Sequence, residues 1–146
     1  EDRDYWHACK NLIESLSGKV DIQVLGGVSN DELLELMKQA HFFVLPTLNE
    51  NFGYVFLEAL AAGCPLIISE NSIWSEVADR IAGFVVALKD ETGWRDTIAK
   101  AAGMDQDTYN SMSRSARLLA EEWLAKPEHE VAMLNALDYV IAKNER

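Results

Sequence analysis

Two periods of apolar residues alternate along the chain, one helical and one extended. Tyr5, Cys9, Leu12 and Leu16 recur at helical spacing, with Asp4 as a candidate cap. Val20, Ile22 and Val24 then alternate with Asp21 and Gln23, which predicts a strand over residues 19–26 with one wet face, near a sheet edge. Ser29 and Glu32 have the spacing of a capping box, opening a helix that carries Leu33, Leu36, Met37 and Ala40. Residues 42–45 are apolar without a break until Pro46, and residues 65–68 repeat the pattern after Gly63. Such runs between helices read as central parallel strands covered on both faces, with residues 84–86 a third, shorter one. Trp94, Ile98 and Ala101 mark a further helix, and Tyr109, Met112, Ala116, Leu119 and Trp123 another. Pro127 breaks it, and Val131, Leu134, Leu137 and Ile141 predict a last helix.

Helices alternating with strands define an α/β fold with a mostly parallel, Rossmann-like sheet. The 146 residues fit one domain, 1–146, with C-terminal helices from about residue 105. Composition narrows the function. Thirteen Lys and Arg against 24 Asp and Glu give a net charge of −11, which disfavours nucleic acid as a partner. No apolar run approaches the ~18 residues of a membrane span. Cys9 and Cys64 stand alone, outside any metal-binding spacing, and suit the reducing cytoplasm. His7, His41 and His129 share no ligand spacing, so no metal is expected. His41 reads as a strand-end residue, and Trp74 as either a cleft wall or a core aromatic.

The chemistry concentrates in one segment, Pro46-Thr-Leu-Asn-Glu-Asn-Phe-Gly-Tyr-Val-Phe-Leu-Glu-Ala-Leu-Ala-Ala-Gly-Cys-Pro65. It leaves a strand, turns, and enters a helix that Gly63 closes. Open α/β sheets bind ligands at the carboxyl ends of central strands. The helix start offers the N–H groups of Asn51, Phe52, Gly53 and Tyr54 to an anion, and Gly53 lacks a Cβ that would hold a phosphate off. Within this helix Glu58 is the one acid among apolar residues. A carboxylate there needs a polar cleft or a fixed donor, and Tyr54 and Asn51 fall on its face by spacing. Two readings stay open on these grounds: Glu50 and Glu58 hold hydroxyls of a ligand, or Glu58 pairs with a cation while Glu50 is a solvated turn residue.

Glu50-Asn-Phe-Gly53 through Glu58-Ala-Leu-Ala-Ala-Gly-Cys-Pro65 resembles the E-x7-E segment of retaining GT-B glycosyltransferases of the group 1 family. The flanking Val24-Leu-Gly-Gly-Val-Ser, Leu66-Ile-Ile-Ser, Ser75-Glu-Val and Ala82-Gly-Phe-Val-Val fit the same pattern, which spans residues 18–87. The resemblance implies a C-terminal, donor-binding domain that takes a nucleoside-diphosphate sugar and uses no metal or other cofactor. By position Glu50, with the amides of Asn51, Phe52 and Gly53, would hold the transferred sugar and stabilise its developing charge. Glu58 would accept from the ribose hydroxyls, Tyr54 and Val55 would line the diphosphate, and Thr47 and Leu48 would border the base or ribose. Glu50 is not expected to be a covalent nucleophile, unlike the carboxylates of glycosidases.

The family pattern also includes an Arg and a Lys, two central strands and an acceptor-binding N-terminal domain ahead of this region. The chain starts after them, so it is expected to be a fragment, inactive alone. Two alternatives remain: a GT-B sugar-nucleotide epimerase, and a non-catalytic α/β docking or receiver domain. Glu50 and the Phe52-Gly53 turn argue against the first. Strands running into Pro46-Thr47 and Ser69-Glu70, rather than clustered Asp, argue against a receiver.

Overall fold

The computed structural model describes residues 3–16 and 18–126. Helix α1 (Arg3–Ser15) comes first, and α2 (Asn30–Gln39) follows. Strand β1 (Phe43–Leu45), helix α3 (Tyr54–Ala62) and strand β2 (Leu66–Ser69) carry the central segment. A 3-10 helix (Ile73–Val77), strand β3 (Gly83–Val86), helix α4 (Glu91–Ala102) and helix α5 (Gln106–Leu124) complete the described residues. The helix expected after Pro127 lies outside them.

The three strands are parallel in the order β1-β2-β3, with Val44 opposite Ile67 and Ile67 opposite Phe84. Parallel neighbours need crossovers, and α3 and the 3-10 helix supply them. All four residues of β2 are buried, as an unbroken apolar run predicts for a strand covered on both faces. Strand β1 departs from that expectation. It is the edge of the described sheet, and Val44 is 44% exposed because only the Phe43 and Leu45 side packs on the core.

Residues 19–26 form no strand, contrary to the alternating pattern. A strand exists only while its N–H and C=O groups are paired along a ladder, and these residues join none of the ladders formed by the described residues. Val20, Ile22 and Val24 are all exposed. The stripe on α1 likewise forms a helix but buries none of its residues.

The core lies on the face of the sheet that carries Phe43 and Leu45 of β1 and Leu66 and Ile68 of β2. Phe56, Ala59 and Leu60 of α3 pack there with Leu66, Ile68, Trp74, Val77, and Ala116, Leu119 and Ala120 of α5. Gly63 ends α3 at φ 79°, a left-handed conformation that costs a side-chain-bearing residue about 1–2 kcal/mol. The Ser113 hydroxyl donates to its carbonyl at 2.7 Å and ties α5 to this cap. The Ser29–Glu32 capping box is complete, with each residue donating to the other. Among the described residues no helix is long and apolar enough to cross a membrane.

Candidate functional site

The strands are parallel, so their carboxyl ends share one edge, where β1 runs into Pro46 and β2 into Glu70. Two hydrogen bonds join these exits. The buried Ser69 hydroxyl donates to the Thr47 carbonyl at 2.6 Å, and the Glu50 N–H donates to the Asn71 carbonyl at 3.3 Å. The Thr47 hydroxyl in turn donates to the Asn49 carbonyl at 3.0 Å. The loop holding Thr47, Leu48 and Glu50 is therefore braced by the neighbouring strand. Leu48 projects from it, 84% exposed.

Helix α3 begins at Tyr54, so Asn51 and Phe52 belong to the turn before it and Asn51 does not share a helical face with Glu58. Gly53 is the N-cap, at φ 71° and ψ 58°. The first open helix amides are consequently those of Tyr54 and Val55, because the Phe56 N–H already donates to the Gly53 carbonyl at 2.8 Å. Among the described residues the N–H groups of Asn51, Phe52, Gly53, Tyr54 and Val55 have no acceptor. Five consecutive amides thus stand open at the helix N-terminus, where the dipole favours an anion.

Gly53 is needed for a reason the sequence did not suggest. A Cβ there would stand 2.5 Å from Cδ2 of Phe56 and 3.0 Å from Cγ of Glu50. The missing side chain makes room first for the protein's own groups, and it places the Glu50 side chain against the turn. Glu58, one turn into the helix, is half-buried with Tyr54 four residues before it on the same face. Neither Glu50 nor Glu58 has an ion-pair or hydrogen-bond partner for its side chain among the described residues. The structural ion pair considered for Glu58 is not formed there.

Aromatic rings pack around Phe52 of the turn. The Phe52 ring packs at a tilt against the exposed Tyr54, 4.3 Å between centroids, and against Trp123 of α5 at 5.0 Å. Trp74, 1% exposed, lies edge-on to Phe52, and its indole N–H donates to the Phe52 carbonyl at 2.7 Å. Trp74 is thus a core aromatic that also touches the motif. The sequence signalled only its size.

Other groups fall away from the site. His41 precedes β1 at the amino end of the sheet and packs on Tyr109 at 4.6 Å. Cys64 is buried, which pushes its thiol up to about 11, so it is no nucleophile at neutral pH. No group of three or more His, Cys, Asp or Glu that could hold a metal occurs among the described residues. Ser69, Glu70 and Asn71 join the site, although the sequence marks Ser69 and Glu70 only as a strand exit and assigns none of the three a role. Their place at the exit of the neighbouring strand was the available signal. Glu70 also accepts from the Leu88 N–H at 2.7 Å, bridging β2 to the loop after β3.

A parallel sheet with helical crossovers defines the Rossmann-like α/β class, whose members bind ligands at the carboxyl edge of the sheet. The chain belongs to the glycosyl transferases group 1 family, whose model matches residues 3–119. It is 33% identical over 125 residues to an uncharacterized glycosyltransferase of Methanocaldococcus jannaschii, covering 76% of this chain and 31% of that protein. It is 32% identical over 95 residues to the O-antigen chain mannosyltransferase RfbU of Salmonella typhimurium, covering 65% and 27%. A D-inositol 3-phosphate glycosyltransferase of Saccharomonospora viridis is 30% identical over 93 residues, covering 63% and 21%. The matched region thus spans a third or less of each of these relatives. Among solved structures, the sucrose-phosphate synthase of Thermosynechococcus elongatus superposes with a TM-score of 0.76 at 19% identity, over 98% of this chain and 36% of that one. The fold is the GT-B type of α/β, Rossmann-like architecture.

Proposed function

We propose that this chain is the donor-binding part of a retaining glycosyltransferase, holding a nucleoside-diphosphate sugar for transfer to a hydroxyl acceptor. The observation that carries the reading is the Glu50 side chain seated against Gly53, beside five open amides at the carboxyl edge of the sheet. Glu50 and the amides of Asn51, Phe52 and Gly53 hold the sugar, and those of Tyr54 and Val55 meet the diphosphate. Glu58 accepts from the ribose hydroxyls, with Thr47 and Leu48 at the base or ribose.

In the reaction the sugar's bond to the diphosphate oxygen breaks and a bond to the acceptor oxygen forms on the same face. The acceptor's proton leaves on the diphosphate. Amides and a helix dipole aimed at the leaving group stabilise its charge without a metal. The acceptor site, and the basic residues that offset the diphosphate's charge, come from the rest of a longer enzyme. The relatives' lengths support this, since this region matches only 21% to 31% of theirs. Free thiols at Cys9 and Cys64 accord with a cytoplasmic setting.

Titration of a nucleoside diphosphate into the full-length protein and its Glu58→Gln variant tests the ribose assignment. A charge-assisted hydrogen bond lost should cost about 1–3 kcal/mol of affinity. Unchanged affinity with a lowered melting temperature would assign Glu58 a purely structural role.

A further inference from the structure

The peptide plane between Phe52 and Gly53 is held at one end. A trans peptide is planar, so its C=O and N–H point in opposite directions. Trp74 donates its indole N–H to the Phe52 carbonyl at 2.7 Å from a position 1% exposed. The Gly53 N–H of the same plane must therefore point away from the Trp74 indole. It has no acceptor among the described residues.

A plane ending in glycine is the easiest kind to turn over, because glycine tolerates both signs of φ. Rotating it would move the Phe52 carbonyl toward the open side and remove an N–H from the site. The place assigned to the sugar would then meet a carbonyl oxygen where it had an N–H donor. Such a reversal would leave the Trp74 indole N–H buried without an acceptor, a state that proteins avoid. Trp74 itself is fixed by the core. Its ring lies 6.1 Å from Phe52 and 5.8 Å from Trp123, and its backbone N–H donates to the Ser72 hydroxyl oxygen at 3.3 Å.

We propose that Trp74 is a positioning residue for sugar transfer, whose indole hydrogen bond to the Phe52 carbonyl turns the Gly53 amide toward the sugar donor. This rests on the donor-binding reading above and adds a residue outside the E-x7-E segment. Trp74 touches no ligand. It acts through one peptide plane, and packing alone does not describe it: a phenylalanine would fill much of the same space and leave the carbonyl unheld.

Trp74→Phe in the full-length protein removes the donor and keeps an aromatic ring, while Trp123→Phe alters the same cluster and leaves the Trp74–Phe52 hydrogen bond in place. Steady-state kinetics on the sugar donor, titration of the bare nucleoside diphosphate and thermal melting are measured on both. The Gly53 amide is assigned to the sugar end, so Trp74→Phe should lower kcat about tenfold, the scale of one hydrogen bond. Its diphosphate affinity should stay within about twofold of the parent, since neutral hydrogen bonds elsewhere are untouched. Trp123→Phe should lose far less kcat than Trp74→Phe for the same fall in melting temperature. An unchanged kcat in Trp74→Phe would overturn the proposal. So would equal losses of kcat in both variants tracking their melting temperatures, which is the mark of packing. A parent protein that binds no nucleoside diphosphate would instead refute the donor-binding reading itself.

Discussion

Gly53 carries three demands at once: a left-handed backbone, the closeness of the Phe56 ring, and the contact with Glu50. A methyl group there meets atoms at 2.5 Å and 2.8 Å, well inside ordinary contact, so the turn must shift to admit it. Gly53→Ala should lower stability by about 1–3 kcal/mol, as expected for strain held at a special φ and ψ. It should also weaken every nucleoside-diphosphate ligand, with or without a sugar, because the open amides lie on the backbone that moves. Denaturant unfolding and ligand titration of the full-length variant check both effects. Much of the candidate site was legible at this scale. Glu50, Gly53 and Glu58 stand out by spacing and by an acid placed among apolar neighbours. The Trp74–Phe52 hydrogen bond was not, because it joins residues 22 apart through an atom pair that no periodicity encodes.

Among the elements, local rules succeeded where local atoms decide. The Ser29–Glu32 box, the Gly63 cap and the strand at β2 follow from short-range hydrogen bonds and burial. Residues 19–26 have a strand's pattern, but a strand also needs a partner, and a pattern cannot supply one. The caps also have a pH signature. The Glu32 carboxyl lies below its ordinary 4.5, chiefly through the Ser29 backbone N–H, and that of Asp105 below its ordinary 3.8 through the Thr108 N–H. Both are lowered in the folded state. Their support is therefore present above the ordinary values and is lost as pH falls below them through the folded values. Glu32→Gln and Asp105→Asn should accordingly flatten the decline of stability on acidification. Denaturant midpoints measured from pH 6 down to about pH 3 test this, and variants that decline as steeply as the parent would count against it.

For the molecule as a whole, the crossovers around β2 place the core on one side of the sheet and the open amides at its carboxyl edge. Cys64 reports on the first of these. It is fully buried with its thiol raised to about 11, so a thiol reagent at pH 8 should reach it only when the core opens. Cys64 labelling should therefore follow the global unfolding curve in urea, and prompt labelling of the native protein would show that the core is not closed. The carboxyl edge carries the central claim, that Glu50 serves the sugar while the amides at the head of α3 serve the diphosphate. An interaction that strengthens as the glycosidic bond breaks appears in kcat rather than in ground-state affinity. The most direct measurement is Glu50→Gln in the full-length enzyme, with nucleoside-diphosphate titration paired to steady-state kinetics on the sugar donor. The account predicts diphosphate affinity near the parent value and a kcat lower by about 10²-fold or more, the scale of one preorganised electrostatic group. Diphosphate affinity falling as far as it does in Gly53→Ala, with kcat little changed, would contradict it.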